Sequence, residues 1–312
     1  MGCRTIRRSG LVRLALLALI WGSSFVWIKI GLRTFTPMQV VFLRMLLATA
    51  VLGLICLLRG LRMPRAPVLW AHFAVAATVG NVVPFFLIGV GELSIDSALA
   101  GILNATTPLW TVAVALLARV ERTMTAIRAA GLVLGFAGAL VIFAPWRSGG
   151  SVSGAAACLT ASFLYGVLFV YAGLGLDPIV LSAGQLGAAS VLSACALPIG
   201  WRVPELRADA LGSIIVLGVL GTGIAYILNY RLITDDGPTV ASTVTYLIPV
   251  VAVLFGVAVL GESLSLRVLS GMVVILAGVG LVRRTRPPVP VAVPETAVRA
   301  PRCGDISGQR RV

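Results

Sequence analysis

Apolar residues along this chain come in blocks of about 20. That is the length a helix needs to cross a hydrocarbon core of roughly 30 Å. The blocks fall at 11–32, 37–58, 69–90, 96–118, 126–145, 153–173, 178–199, 210–233, 238–260 and 267–283. Most are apolar all round rather than along one stripe, so they read as membrane spans and not as the half-polar helices of a soluble core. The pattern predicts an all-α polytopic membrane protein with ten transmembrane helices. A basic stretch (Arg4, Arg7, Arg8, Arg13) precedes the first block and gives it the look of a signal peptide. That block is too long for a signal core and further spans follow, so it reads as a retained first span behind a basic N-terminal segment at 1–10. Residues 284–312 break the pattern: Pro287, Pro288, Pro290, Pro294 and Pro301 exclude a continuous helix and predict a disordered basic tail.

The blocks repeat. Pro108 is followed thirteen positions later by Glu121, and Pro249 is followed at the same interval by Glu262. Behind each glutamate comes a glycine pair seven apart, Gly131 with Gly138 and Gly271 with Gly278, and Gly80 and Gly221 fall in the same register. The offset is 140–141 residues. It divides the chain into a first repeat at 11–145, a linker at 146–152 and a second repeat at 153–283. Five spans per repeat is an odd number, so the second repeat inserts upside down relative to the first. Inverted repeats of this kind support alternating access around a central site in secondary transporters.

Composition agrees with the pattern. Hydrophobic residues make up 59% and charged residues 12% of 312, and the mean hydropathy is +1.03. Soluble chains carry about 25% charged residues. The net charge of +14 does not form a basic face for nucleic acid, because the arginines sit at span ends and in the tails. With the N-terminus in the cytoplasm, fourteen flanking basic residues fall inside and five outside, which predicts that both termini are cytoplasmic. All basic residues but Lys29 are arginine, a bias that suits a GC-rich bacterial genome and a bacterial cytoplasmic membrane. The five cysteines form no CxxC pair, and three of them lie in spans as small apolar filler. One histidine, His72, sits near a span end as an interfacial anchor. Gly173-Leu174-Gly175-Leu176-Asp177 misses the spacing of an intramembrane aspartyl protease, and Gly218, Gly221 and Gly223 lie within an apolar span, away from any nucleotide-loop context. The chain reads as a non-enzyme with no cofactor and no metal.

Trp21-Gly22-Ser23-Ser24-Phe25 in span 1, Pro37 followed by Arg44 in span 2, Ala98, Pro108 and Glu121 around span 4, and Pro249 with Gly261-Glu262 around span 9 carry a resemblance over residues 11–283. The chain resembles the drug/metabolite transporter superfamily, with two EamA-type repeats. The resemblance implies ten spans, cytoplasmic termini and movement of small organic metabolites, often amino-acid export. Translocation of phosphorylated or lipid-linked metabolites and multidrug efflux are the alternatives within the superfamily. The partners implied are a small-molecule substrate and the bilayer, with the chain acting as a monomer or weak homo-oligomer.

Two charges lie inside spans. Lys29 is about one turn from a span end and is expected to snorkel. Arg44 lies about two turns deep, where it either contacts an anion or satisfies backbone carbonyls. No carboxylate occupies mid-span, which disfavours proton antiport through a buried acid; a contribution from Glu92 or Asp96, placed at an outer mouth, stays open, and the expectation is facilitated movement or coupling through another group. Polar and aromatic residues at similar depth suggest a central cavity. The pathway candidates are Trp21, Ser24, Arg44, Asn81, Asn104, Thr107, Pro108, Tyr165, Tyr226, Asn229, Tyr246 and Pro249. Aromatics would offer flat apolar contact and amides would orient a polar group, while the prolines mark broken backbone.

Overall fold

The computed structural model describes residues 8–119, 125–143, 152–171, 178–198, 200–236 and 244–284. All regular structure among them is helical. The helices are α1 (Arg8–Gly31), α2 (Pro37–Leu58), α3 (Pro67–Glu92), α4 (Ser97–Leu117), α5 (Ala126–Phe143), α6 (Val152–Tyr171), α7 (Pro178–Ala196), α8 (Ala208–Asp236), α9 (Val244–Leu260) and α10 (Leu266–Arg284). Seven are long and apolar enough to cross a membrane; α5, α9 and α10 contain shorter apolar stretches. In chain order these match the predicted segments. Glu121, the predicted linker at 146–151 and the proline-rich tail from 285 lie outside the described residues.

Local chemistry starts and breaks the rods. Thr36 caps α2: its hydroxyl accepts from Gln39 N while Gln39 Oε1 accepts from Thr36 N, and Pro37 fills the first turn, where a missing N–H costs nothing. Pro84 leaves the Gly80 carbonyl without its usual donor. Just before it the ladder widens to a π-helix over Thr78–Val82, and Val83 N–H reaches back to Thr78 O. A second π-helical stretch, Val216–Ile224, occupies the corresponding part of α8. Pro108 breaks α4 between Asn104 and Thr107. Hydroxyls then cover the freed carbonyls: Thr107 donates to Asn104 O (2.8 Å), Thr106 to Leu103 O (2.7 Å) and Ser162 of α6 to Leu103 O (3.2 Å). Pro249 instead stays inside α9.

The two repeats interlock. Helix α1 packs on α8 and α9, while its counterpart α6 packs on α3 and α4. The second helices pair with each other, α2 on α7, as do the fifth, α5 on α10. Glycine permits that last contact. A Cβ at Gly278 would stand 2.5 Å from Gly135 N and 2.6 Å from Gly131 O, and one at Gly138 would stand 2.9 Å from Ile275 N. Small residues let helix backbones approach where lipid offers no hydrophobic drive for association. The glycine pairs seen in the repeat pattern are therefore the seam between its fifth helices. On the α2–α7 seam, Thr49 and Ser190 hydrogen-bond at 2.9 Å across a separation of 141 residues, so each meets its own repeat-mate.

Candidate functional site

At the centre of the bundle, α2, α3, α6, α7 and α8 bring polar groups together. Arg44 of α2 is buried, 5% exposed. Its Nε donates to Thr222 Oγ1 at 2.7 Å, and its guanidinium carbon lies 4.0 Å from the Phe85 ring centroid. Thr222 in turn donates to Leu217 O, a partner five residues back that the π-helical stretch presents. Asn81, within the other π-helical stretch, donates through Nδ2 to the Tyr226 hydroxyl at 3.0 Å and accepts at Oδ1 from Gln185 Nε2 at 2.6 Å. Tyr165 of α6 meets Phe85 edge-on, with centroids 6.3 Å apart. The terminal nitrogens of Arg44 make no hydrogen bond among the described residues. A guanidinium held at one edge and one face, with two amino groups free, suits an acceptor bearing two oxygens.

The cluster has the symmetry of the repeat. At the 141-residue offset Arg44 corresponds to Gln185, Asn81 to Thr222 and Phe85 to Tyr226. The Arg44–Thr222 and Gln185–Asn81 hydrogen bonds are thus one interaction made twice, once by each half. Charge is the difference, because the second repeat places a neutral amide where the first has a guanidinium. Thr222, Gln185 and Phe85 are not among the twelve pathway candidates that the sequence suggests. The repeat offset, applied to Arg44, leads directly to Gln185.

A second polar group lies at the end of the bundle where α1 and α3 finish. Lys29 does not snorkel to water. Its ammonium donates to Glu92 O (2.5 Å) and Ile95 O (2.7 Å), the orphan carbonyls at the end of α3. Glu262, from the turn after α9, accepts from Ser97 N (2.8 Å) and Ala98 N (3.0 Å) and so caps α4. Glu92 ends its helix, but its side chain is fully buried rather than at a wet mouth. Both its carboxyl oxygens, and Ser97 Oγ beside them in sequence, lack a hydrogen-bond partner among the described residues. Asp96 is exposed.

The model of the EamA-like transporter family matches residues 8–144 and 152–284. The chain belongs to the EamA-like transporter family. It is 27% identical over 280 residues to an uncharacterized transporter of Archaeoglobus fulgidus, covering 88% of this chain and 98% of that one. It is also 29% identical over 259 residues to the uncharacterized inner membrane transporter YedA of Escherichia coli K12, covering 80% and 82% of the two chains. One crystal structure superposes with a TM-score of 0.61 at 20% identity, over 89% of this chain and 97% of its own, and shows the shared fold. This protein is a multi-pass membrane transporter of the EamA-like family.

Of the twelve pathway candidates in this EamA-like chain, Arg44, Asn81, Tyr165 and Tyr226 meet at the centre. Ser24 donates to Ile20 O (2.8 Å) and Thr107 to Asn104 O, so both hydroxyls are spent on their own helices. Trp21 packs against the apolar core. Asn104 has a buried Oδ1 with no partner among the described residues. Asn229 is half-buried one turn beyond Tyr226. Pro108 is half-buried in α4, which packs on α6, and Pro249 is buried in α9, which packs on α1. The Tyr246 side chain lies outside the described residues.

Proposed function

We propose that the protein exports small carboxylate-bearing metabolites, amino acids or close relatives, by alternating access between its two repeats. The observation that carries this is the free pair of terminal nitrogens on a buried, stacked Arg44. Each would form a charge-assisted hydrogen bond to one carboxylate oxygen, worth about 1.5–3 kcal/mol. Tyr165 and Phe85 offer flat apolar contact beside it, and Asn81 and Gln185 offer amide dipoles for the rest of the ligand.

Phosphorylated cargo fits less well. It calls for several cations, whereas Arg44 is the only buried arginine among the described residues and Lys29 is committed to carbonyls. The π-helical stretches in α3 and α8 flank the cluster from opposite repeats. Exchanging their conformations would open the site first to one side and then to the other. The arginine distribution supports cytoplasmic termini in a bacterial cytoplasmic membrane, and the symmetric cluster is complete within one chain, which supports a monomeric or weakly associated transporter.

The test is a ligand screen on purified protein, pairing each amino acid with its carboxamide. Stabilisation by the acid and not by the amide, lost in Arg44→Gln, is the expected result. Equal response to acid and amide would overturn the reading.

A further inference from the structure

The end of α3 holds a carboxyl group for which the central site has no use. Glu92 is 0% exposed and both its oxygens are unpartnered among the described residues. An ionised carboxylate in that position would forfeit its hydration with no hydrogen bond in exchange. Its charged and titratable neighbours come from every side. They are Lys29 on α1, Arg44 on α2, Cys158 on α6 and Glu262 after α9, with Asp96 exposed beyond the turn. None of them bonds the carboxyl. The nearest cation in role, Lys29, instead holds the main-chain carbonyls of Glu92 and Ile95. At the repeat offset these two positions are Val170 and Ile233, so the second half has no such pair.

We propose that Glu92 is a proton-binding site that couples transport to the proton gradient, with Lys29 as the element it switches. In the conformation described here the carboxyl carries its proton, and the ammonium latches the α3–α4 turn through the two carbonyls. When that end of the bundle opens to water, Glu92 releases its proton to the water. The resulting carboxylate draws the Lys29 ammonium to itself. Lysine remains an ammonium throughout, so one proton moves per cycle of the latch. Losing Lys29 frees the carbonyls of Glu92 and Ile95, and the turn joining α3 to α4 loosens. This goes beyond the choice of substrate and holds for any cargo of the central site.

The test needs no substrate, so failure of the carboxylate reading leaves it intact. Purified protein in lipid is titrated from about pH 5 to about pH 9 while two signals are followed. One is the infrared carbonyl stretch of a protonated carboxyl; the other is hydrogen exchange of the amides at 92–98, normalised for chemical exchange. In wild type one protonated-carboxyl band is expected to vanish as pH rises, and exchange at the turn to accelerate about tenfold over the same interval. Glu92→Gln should lack the band and exchange slowly at every pH, with the fold intact. Glu92→Asp should keep a titrating band, and Lys29→Met should exchange fast throughout. A wild-type profile identical to that of Glu92→Gln would overturn the proposal. So would a band whose titration moves with sodium concentration, which would assign the site to a metal cation.

Discussion

The centre of the bundle and the end of α3 were built from the same repeat and treat it in opposite ways. At the centre, both halves contribute the same interaction: Arg44 to Thr222 from one, Gln185 to Asn81 from the other. Only the charge differs. At the end of α3, the first half carries Lys29 and Glu92 while the second carries Val170 and Ile233. Symmetry suits a site that must be reached from two sides, because exchange of the two halves restores the same surroundings. Asymmetry suits a step that must occur on one side only. The single guanidinium at the centre fits both demands, since it lies where the two halves meet.

The comparison can be broken at several points. The largest effect is expected where the two-fold frame itself is sealed. Gly278→Leu drives a side chain into the Gly131 and Gly135 backbone, and little folded protein should survive size-exclusion in detergent. Arg44→Gln makes the two halves alike at the centre. Affinity for a carboxylate ligand should fall about ten- to a hundredfold, as one or two charge-assisted bonds predict, while the melting temperature holds. Calorimetric titration measures the first and a melt the second. Adding Gln185→Arg to that variant moves the charge to the mate position, and the two-fold predicts that part of the lost affinity returns; no recovery would mean that the halves are not equivalent there.

Smaller effects test the asymmetric end and the axis. Lys29→Met orphans two carbonyls and should destabilise the protein by about 1–3 kcal/mol, whereas Val170→Met at the mate position should be close to neutral. Thermal melts of the pair compare them directly. Thr49→Val removes a hydroxyl on the axis. Because Ser190 Oγ also donates to Leu186 O (3.0 Å), Thr49 supplies the proton of the shared bond, and its loss should cost about 0.5–1.5 kcal/mol. A double-mutant cycle with Ser190→Ala isolates that term.

Much of the site was visible before the helices were assembled. Arg44, Asn81, Tyr165 and Tyr226 stand out as polar or amphipathic groups in apolar spans, where each such group needs a reason. Gln185 was no less visible and was passed over, although its spacing from Arg44 is the repeat offset. Thr107 and Ser24 show the opposite error. A hydroxyl in a span draws notice, yet theirs serve carbonyls of their own helices, in the case of Thr107 one that Pro108 had left free. Lys29 and Glu92 were placed correctly along their helices and wrongly with respect to water, because distance from a helix end does not say what covers that end.

The sequence by itself determined the helices, the repeat and the family. Each of these rests on information local in the chain or periodic along it: about 20 apolar residues per crossing, proline and glycine at fixed intervals, and a shared offset. Tertiary structure alone decided which groups meet. Arg44 and Thr222 are 178 residues apart and Lys29 and Glu92 are 63 apart, and no pattern within a span records such a partner. The physical reason is that the bilayer dictates hydrophobicity span by span, whereas a polar group is satisfied by whichever neighbouring helix packing brings within about 3 Å.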